Sequence, residues 1–559
     1  MNPRHQEFDA ATLEILWSRL RGVCDEMSLA LQRTAFSTIV SAALDFGCAL
    51  LDAHGGQLAH ATGSMSLFNL ALPSITREVL ECYGDDVHPG DVFIGNDPWL
   101  CCGHLPDVAV ITPVFRNEQL VAFSTSVAHQ ADFGGAHGHN RVREVFEEGL
   151  FLPVMKLYER GVPNPTLFEI IRANVRSPEM VLGDINAQVV SNGVGAARLV
   201  DVLNEYEIAD PAPLVAELQG RSEQAMRDIV RGLPDGTYRA DGWSDSKGQP
   251  TKIAVAIIIN GDEMTVDFEG TGPQLESGGT NCTLAYTIGT THYELKSILA
   301  PNIPHNEGST RPITVKAPKG SILNCDYPMA VNARVFTDHD VILQALAQAL
   351  PEKVMAGPGL YVYPRVTGRY PSGQPYDAPM FAGGGRGGAR GRDGIGGYIY
   401  PSSAANVSVE LFEAACPAVV IEKEWLADTA GAGEFRGGPA QRITFKRQAG
   451  YESTVRMRYF PIRSKIAAEG VLGGCGGTID EPLWNGKPVP PESEIMRDGW
   501  VTFRDDDDRL TIHVPSGGGF GEPEKRNLAA IQSDIAQELL TEECAARQYP
   551  QYAGREARG

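Results

Sequence analysis

The stretch NDPWLCCGHLPDV, residues 96–108, sets His104 and Asp107 three residues apart. A second cluster, AHQADFGG, supplies His129 22 residues after Asp107. Together they offer two imidazoles and one carboxylate, and Asp45, at the head of DFGCALL, is a candidate second carboxylate. Two histidines and two aspartates would balance a divalent ion and leave coordination positions for water or substrate. That mix of nitrogen and oxygen donors suits Mn, Fe or Zn better than Ca or Mg. The HxxD pair alone is better explained by a histidine capping a strand end and Asp107 closing a turn, since such pairs occur by chance, so the case depends on what brings His129 to it.

The answer expected is a hairpin. VAVITPVF, the turn RNEQ and LVAFSTSVA read as two strands and their connection. With Asn117 and Glu118 as central turn residues, facing positions have numbers summing to 235. Asp107 then faces Ala128, and His129 faces Pro106. Both ligands would sit at the open end of one ribbon, with His104 three residues further back.

Other groups lie near in sequence. His137 and His139, in GGAHGHN, could extend the site or contact substrate, or simply face solvent. Asp132 and Glu148 are candidate acid/base groups beside an activated water, or anchors of their own loops. The vicinal pair Cys101 and Cys102 reads as buried thiols. GGGRGGARGRDGIGG, residues 383–397, is not GxxxxGK[ST] and lacks a strand-then-helix frame, so it is no phosphate loop. A close-packed backbone is the simpler reading. Arg386 and Arg390 (with Arg392) could still contact a phosphorylated or carboxylated intermediate. PSGGGFGEP reads as a structural turn.

These residues need elements to hold them. Residues 9–35 carry Leu13, Leu16, Leu20, Val23, Met27 and Leu31 at helical spacing, with Asp9 as cap. DFGCALLDAHGGQLAHA predicts a hairpin, residues 66–83 an amphipathic helix, and HPGDVFIGNDPW a strand ending in a turn. Residues 141–230 read as mostly helical, with strands after LPDGTYRADGW. Helices are predicted over 281–300, over DHDVILQALAQALPEK, and over KRNLAAIQSDIAQELLTEECAAR near the end. Strands and helices in blocks favour an α+β, multi-domain fold of mixed antiparallel sheets over a doubly wound one. The expected divisions are 1–140, an N-terminal α/β part with the metal-binding hairpin; 141–232, mainly helical; 233–380, mixed α/β; 381–525, glycine-rich and β-rich; and 526–559, a C-terminal helix.

Composition excludes several classes. A net charge of −22 over 559 residues would repel phosphates, which argues against nucleic acid as partner. No run of 18 apolar residues occurs, so no membrane span is expected. Ten scattered cysteines without CxxC point to the reducing cytoplasm.

The order of motifs carries further. LQRTAFS, DFGCALLDAHG, GDVFIGNDPW, GHLPDV, AHQADFGG, EEGLFLPVMKL, IRANVR, GDINAQV, NIPHNEGSTRPITVKAPKGSILN, AGAGEFRGG and PSGGGFGEP run along nearly the whole chain. In that order they resemble the B subunit of the ATP-dependent hydantoinase and 5-oxoprolinase family, which includes caprolactamase and acetone and acetophenone carboxylase subunits. The resemblance implies a metal held by Asp45, His104, Asp107 and His129. It also implies a hetero-oligomer with a hydantoinase A-type subunit of actin-like ATPase fold. That partner uses ATP and Mg to phosphorylate the carbonyl oxygen of a small-molecule substrate. In the family's hydrolases, metal-activated water then opens a cyclic amide such as a hydantoin, oxoproline or lactam. In its carboxylases, a phosphoenol-like intermediate meets activated bicarbonate. A metal-stabilised structural subunit without chemistry of its own is a third reading. Where many members have GGITPGSMP after the second histidine motif, this chain has GGAHGHNRV, so the substrate class stays open.

Overall fold

The two strands of the expected ribbon lie in the middle of a seven-stranded sheet. In chain order its strands are β1 (Phe46–Asp52), β2 (Gln57–His60), β3 (Val92–Gly95), β4 (Asp107–Arg116), β5 (Gln119–His129), β6 (Met155–Glu159) and β7 (Val162–Pro163). They are arranged β2-β1-β5-β4-β3-β6-β7, each pair antiparallel. The computed structural model describes residues 9–101, 103–136, 141–245, 250–278, 280–331, 338–402, 404–489 and 493–556.

Alternate residues of a strand point to opposite faces, and β1 is covered on both. Phe46, Cys48 and Leu50 pack with Leu16, Leu20 and Met27 of the helix Ala10–Thr34 and with Leu199 of the helix Pro178–Glu205. Ala49 and Leu51 pack instead with Phe68, Leu72 and Ile75 of the helix Ser66–Tyr83. A strand buried on both faces must be apolar throughout, which is why FGCALL shows no alternation. Asp9 caps the first helix, accepting from the N–H groups of Ala11 and Thr12 at 2.9 and 3.0 Å.

The register of the ribbon differs from expectation by one residue. Asn117 and Glu118 form the turn, both at left-handed φ (51° and 64°), and Arg116 pairs with Gln119. Phe115 faces Leu120, but Val114 faces Ala122, so Val121 is an extra residue on β5. Beyond this β-bulge facing numbers sum to 236, and Asp107 stands opposite His129 rather than Ala128. A period-two pattern carries no mark of a bulge when the strands are apolar on both faces.

The segment after residue 140 contains more than helices. β6 and β7 extend the N-terminal sheet through β3, so one sheet draws strands from both sides of that division. A second unit pairs strands Gly236–Ser244, Thr251–Asn260, Glu263–Asp267 and Ile313–Lys316 under the helices Leu284–Leu299 and Asp338–Ala347. A third core, around Phe445, Met457, Phe503 and Ile512, lies between a four-stranded and a five-stranded sheet. The fold is α+β, with several largely antiparallel sheets.

The glycine-rich stretches form a layer of backbone on backbone. Gly385 N donates to Pro515 O, Gly388 N to Gly518 O, Gly438 N to Arg386 O and Gly517 N to Gly438 O, all at 2.7–3.0 Å. A Cβ on Gly387 would lie 1.8 Å from Ala356 O, and one on Gly437 2.0 Å from Gly517 O. Side chains are excluded there by distance. The single C-terminal helix expected after residue 525 is divided into Leu528–Ala536, Glu542–Gln548 and Pro550–Glu556. Glu538 turns the chain at φ 58°, and Thr541 caps the next helix while its N–H and hydroxyl donate to Asp428.

Candidate metal centre

Three adjacent strands end together at one edge of the N-terminal sheet. Asp107 opens β4, His129 closes β5 directly opposite, and Asp45 immediately precedes β1. The Asp45 carbonyl accepts the His129 N–H at 3.0 Å, and Pro106 O accepts the Gln130 N–H at 2.8 Å. These bonds fix the backbone on either side of His129.

His104 comes from the loop between β3 and β4, and the loop is held from within. Buried Asn96 donates to Leu105 O at 2.7 Å and to Leu150 O at 3.0 Å, and accepts from Leu152 N at 2.7 Å. Thr283 donates its hydroxyl to Pro98 O at 3.0 Å. Gly103, at φ +83°, passes Tyr286 so closely that a Cβ would lie 2.6 Å from its ring. Glycine is therefore required beside His104.

The side chains converge as their positions allow. Asp107 is 2% exposed; its Oδ2 lies 2.8 Å from His104 Nε2 and its Oδ1 2.9 Å from His129 Nδ1. Burial raises the Asp107 carboxyl pKa, but the two histidines outweigh it and hold the group below the usual carboxylate range. Burial pushes the neighbouring Asp45 carboxyl up to about 6, against the pull of His129.

The donor set fits a divalent cation. One ligand atom from each of His104, Asp107 and His129 lies within 4.8 Å of the others. Bonds of about 2.1 Å to a central ion imply edges of about 3 Å between ligand atoms. Asp45, a buried carboxyl on the same cavity, is a group whose charged form a cation would stabilise.

The ligands face a narrow cavity of about 60 Å³ walled by Phe68, Tyr286, Tyr293, Tyr361 and Phe381. Tyr286, Thr290 and Tyr293 share one face of the helix Leu284–Leu299. The cavity adjoins a wider cleft of about 660 Å³, and His129, Tyr363 and Arg365 line both. Arg365 is held by a paired carboxylate, its Nε 2.5 Å from Asp377 Oδ1 and its terminal nitrogen on Oδ2.

The other expected site residues are distributed as follows. Asp132 lines the cleft, where its carboxylate accepts from the Arg176 N–H and guanidinium. Glu148 is buried away from the cavity lining and accepts the Val331 N–H at 2.9 Å. His137, His139 and Cys102 lie outside the described residues; Cys101 is buried. Arg386 donates to Asp393 O, Arg390 lies over the Phe520 ring, and neither lines the cavity or the cleft.

His339 belongs to none of the expected motifs, yet it lines the cavity from the start of the helix Asp338–Ala347. Its Nδ1 is 2.8 Å from Glu294 Oε2, an oxygen to which the Tyr400 hydroxyl also donates. A histidine between two aspartates in DHDVIL was the available signal. Arg365, Tyr361 and Tyr363 belong to no motif and were not legible.

The family model for hydantoinase B/oxoprolinase matches residues 9–523. The B subunit of a putative D-/L-hydantoinase from Pseudomonas sp. (strain NS671) is 30% identical, over 97% of this chain and 95% of that protein. The crystal structure of ATP-dependent caprolactamase from Pseudomonas jessenii superposes with a TM-score of 0.88 at 24% identity, covering 97% of this chain and 96% of that one. Nucleotide-free acetone carboxylase superposes at 0.84 and 18% identity, covering 96% and 79%, so both share the fold. No helix among the described residues is long and apolar enough to cross a membrane. On the family match along almost its whole length, the chain belongs to the hydantoinase B/oxoprolinase family.

Proposed function

We propose that the chain is the metal-bearing B subunit of an ATP-dependent cyclic-amide hydrolase, opening a hydantoin, oxoproline or lactam ring. The observation that carries this reading is the His104–Asp107–His129 cluster at an aromatic-walled cavity, in a chain of this family. Asp45, His104, Asp107 and His129 would hold the ion, with Mn, Zn or Fe suited to such donors. When bound, it supplies a Lewis acid that lowers the pKa of water.

The chain's own residues do the remainder. Asp107 lies 2.8 and 2.9 Å from one nitrogen of each imidazole, the spacing expected of ligand atoms that converge on one ion. The rings of Phe68, Tyr361 and Phe381 keep bulk water from the reacting carbon. The cavity is only large enough for the reacting group and water, so the rest of the substrate extends past Arg365 into the cleft. Of the two candidate acid/base groups, Asp132 stands on that cleft wall and is the one within reach of a substrate seated there.

An amide is a poor electrophile because its nitrogen donates into the carbonyl. O-phosphorylation removes that resonance and makes a leaving group. In this reading an actin-like, hydantoinase A-type ATPase subunit performs that step with Mg-ATP, and the two subunits work as a hetero-oligomer. The test is to incubate the chain alone, then with its ATPase partner and Mg-ATP, following phosphate and product with and without bicarbonate. The chain alone is expected to be inactive, and the pair to release ADP, phosphate and a ring-opened acid without bicarbonate. Ring opening by the chain alone would refute the division of labour. Turnover only with bicarbonate would move the protein to the ketone carboxylase reading.

A further inference from the structure

The cleft beside the metal cavity has a charge opposite to that of the molecule. Five arginines line it, Arg176, Arg365, Arg369, Arg456 and Arg458, against the two aspartates Asp132 and Asp377. That is a surplus of three positive charges in a chain of net charge −22. A walled concavity concentrates such a field, because its low-dielectric sides exclude the screening solvent.

Four of these arginines come from one built feature. The strand Arg365–Arg369 pairs antiparallel with Val455–Arg458, Arg365 directly opposite Arg458. Arg365 and Arg369 are separated by an even number of residues, as are Arg456 and Arg458, so each pair shares a face. The alternate residues Val366, Val455 and Met457 are buried in the core behind them. Like charges facing across a strand pair destabilise it. Asp377 offsets Arg365, and the net surplus of three positive charges that remains in the cleft is what an anion in front of the ribbon would balance.

The guanidinium groups are also anchored. Arg456 lies 4.4 Å over the Trp500 ring, and Arg458 5.1 Å over Phe460. A guanidinium held over an aromatic ring is anchored there by the ring's negative face, while its N–H fork stays suited to phosphate oxygens. Arg176 is held from the facing wall by Asp132 at 2.7 Å. Arg365 and His129 belong to both cleft and metal cavity, so an anion bound here adjoins the ligand cluster.

We infer that this cleft is a phosphoryl-binding site, which receives the phosphorylated substrate and holds its phosphoryl group while the carbon beside it enters the metal cavity. The identity of the phosphoryl carrier rests on the function proposed above; the anion site itself rests on the arginine ribbon. The cleft supplies no reacting group of its own: the C–N bond and the linkage to the phosphoryl group break at the carbon in the cavity, water supplies the new oxygen, and the phosphoryl group leaves as inorganic phosphate.

Trp500 is a built-in reporter of this site. The full chain is titrated with inorganic phosphate, without ATP or partner, while tryptophan emission is followed; Trp500→Phe identifies the part of the signal that comes from the cleft. Arg456→Gln/Arg458→Gln is expected to weaken phosphate binding at least about tenfold with an unchanged circular-dichroism spectrum. The exposed Arg369→Gln gives a second, smaller loss should the double variant fold poorly. Arg198→Gln, whose guanidinium pairs with Glu26 outside the cleft, is expected to bind as the parent does. Acetate at equal ionic strength should compete weakly. Absence of saturable phosphate binding, equal binding by the parent and both cleft variants, or acetate binding as tightly as phosphate would overturn the proposal. A bicarbonate-dependent reaction with intact phosphate binding would remove the hydrolase reading and leave the cleft; bicarbonate-independent ring opening without phosphate binding would do the reverse.

Discussion

Asp107 and His129 face each other at the ends of adjacent strands, 2.9 Å apart, because Val121 is one residue too many in the ribbon between them. Without that bulge His129 would sit opposite Pro106, and the two side chains would not meet in this geometry. A local irregularity well away from these side chains thus aligns the His104–Asp107–His129 cluster.

The first prediction follows from that alignment. His104→Ala and His129→Ala should each lose the bound divalent ion, which the parent should hold at about one per chain. Because His129 ends its strand and His104 lies in the loop before β4, the variants should keep the parent's circular-dichroism spectrum. Elemental analysis of the purified proteins decides it; full metal in both variants would reject the ligand set.

A second prediction concerns the turn. Glu118 sits at φ 64° on a residue with a Cβ, a conformation that glycine adopts freely. Glu118→Gly is expected to stabilise the protein by up to about 1 kcal/mol. Metal content should not change, since the bulge at Val121 is retained. Chemical denaturation and elemental analysis measure the two effects separately.

The pH dependence has a source outside the metal site. Buried Asp480 accepts the Tyr459 hydroxyl, and burial pushes its pKa from 3.8 up to about 7. Because the folded value exceeds the unfolded one, the folded state binds the proton more tightly. The stability this contributes is complete below about pH 4 and is lost as pH rises through about 7. Each pH unit of that interval is worth at most about 1.4 kcal/mol. Asp480→Asn should flatten the decline, read from denaturation midpoints between pH 4 and pH 8. An unchanged slope would assign the decline to other groups.

The glycine layer yields a prediction that separates structure from chemistry. Gly437→Ala places a Cβ about 2 Å from Gly517 O, backbone against backbone, with nothing able to move aside cheaply. This variant should lose most of its folded yield. Arg386→Gln/Arg390→Gln, on the rim of the same layer, should lower the melting temperature more than the turnover of the reconstituted enzyme. Turnover reduced at unchanged stability would restore those arginines to the substrate path.

Much of this was legible because local rules act on local sequence. The helix Ala10–Thr34 shows its buried face at a 3.6-residue period and its cap at Asp9, and the Asn117–Glu118 turn follows from the two strands on either side. The types of donor at His104, Asp107 and His129 single out a cluster that the structure brings together, which is as far as residue type alone reaches. Tertiary structure decided what no periodicity encodes: the bulge that sets Asp107 against His129, the helix break at Glu538, and the strands β6 and β7 that a helical segment sends back into the first sheet. It also decided the walls of the site. Tyr286, His339, Tyr361 and Arg365 come from distant segments and meet only when separate units pack, and the four arginines of Arg365–Arg369 and Val455–Arg458 become one charged face only when those strands pair. Sequence determines which groups a segment can present; long-range burial and strand pairing determine which of them share a cavity.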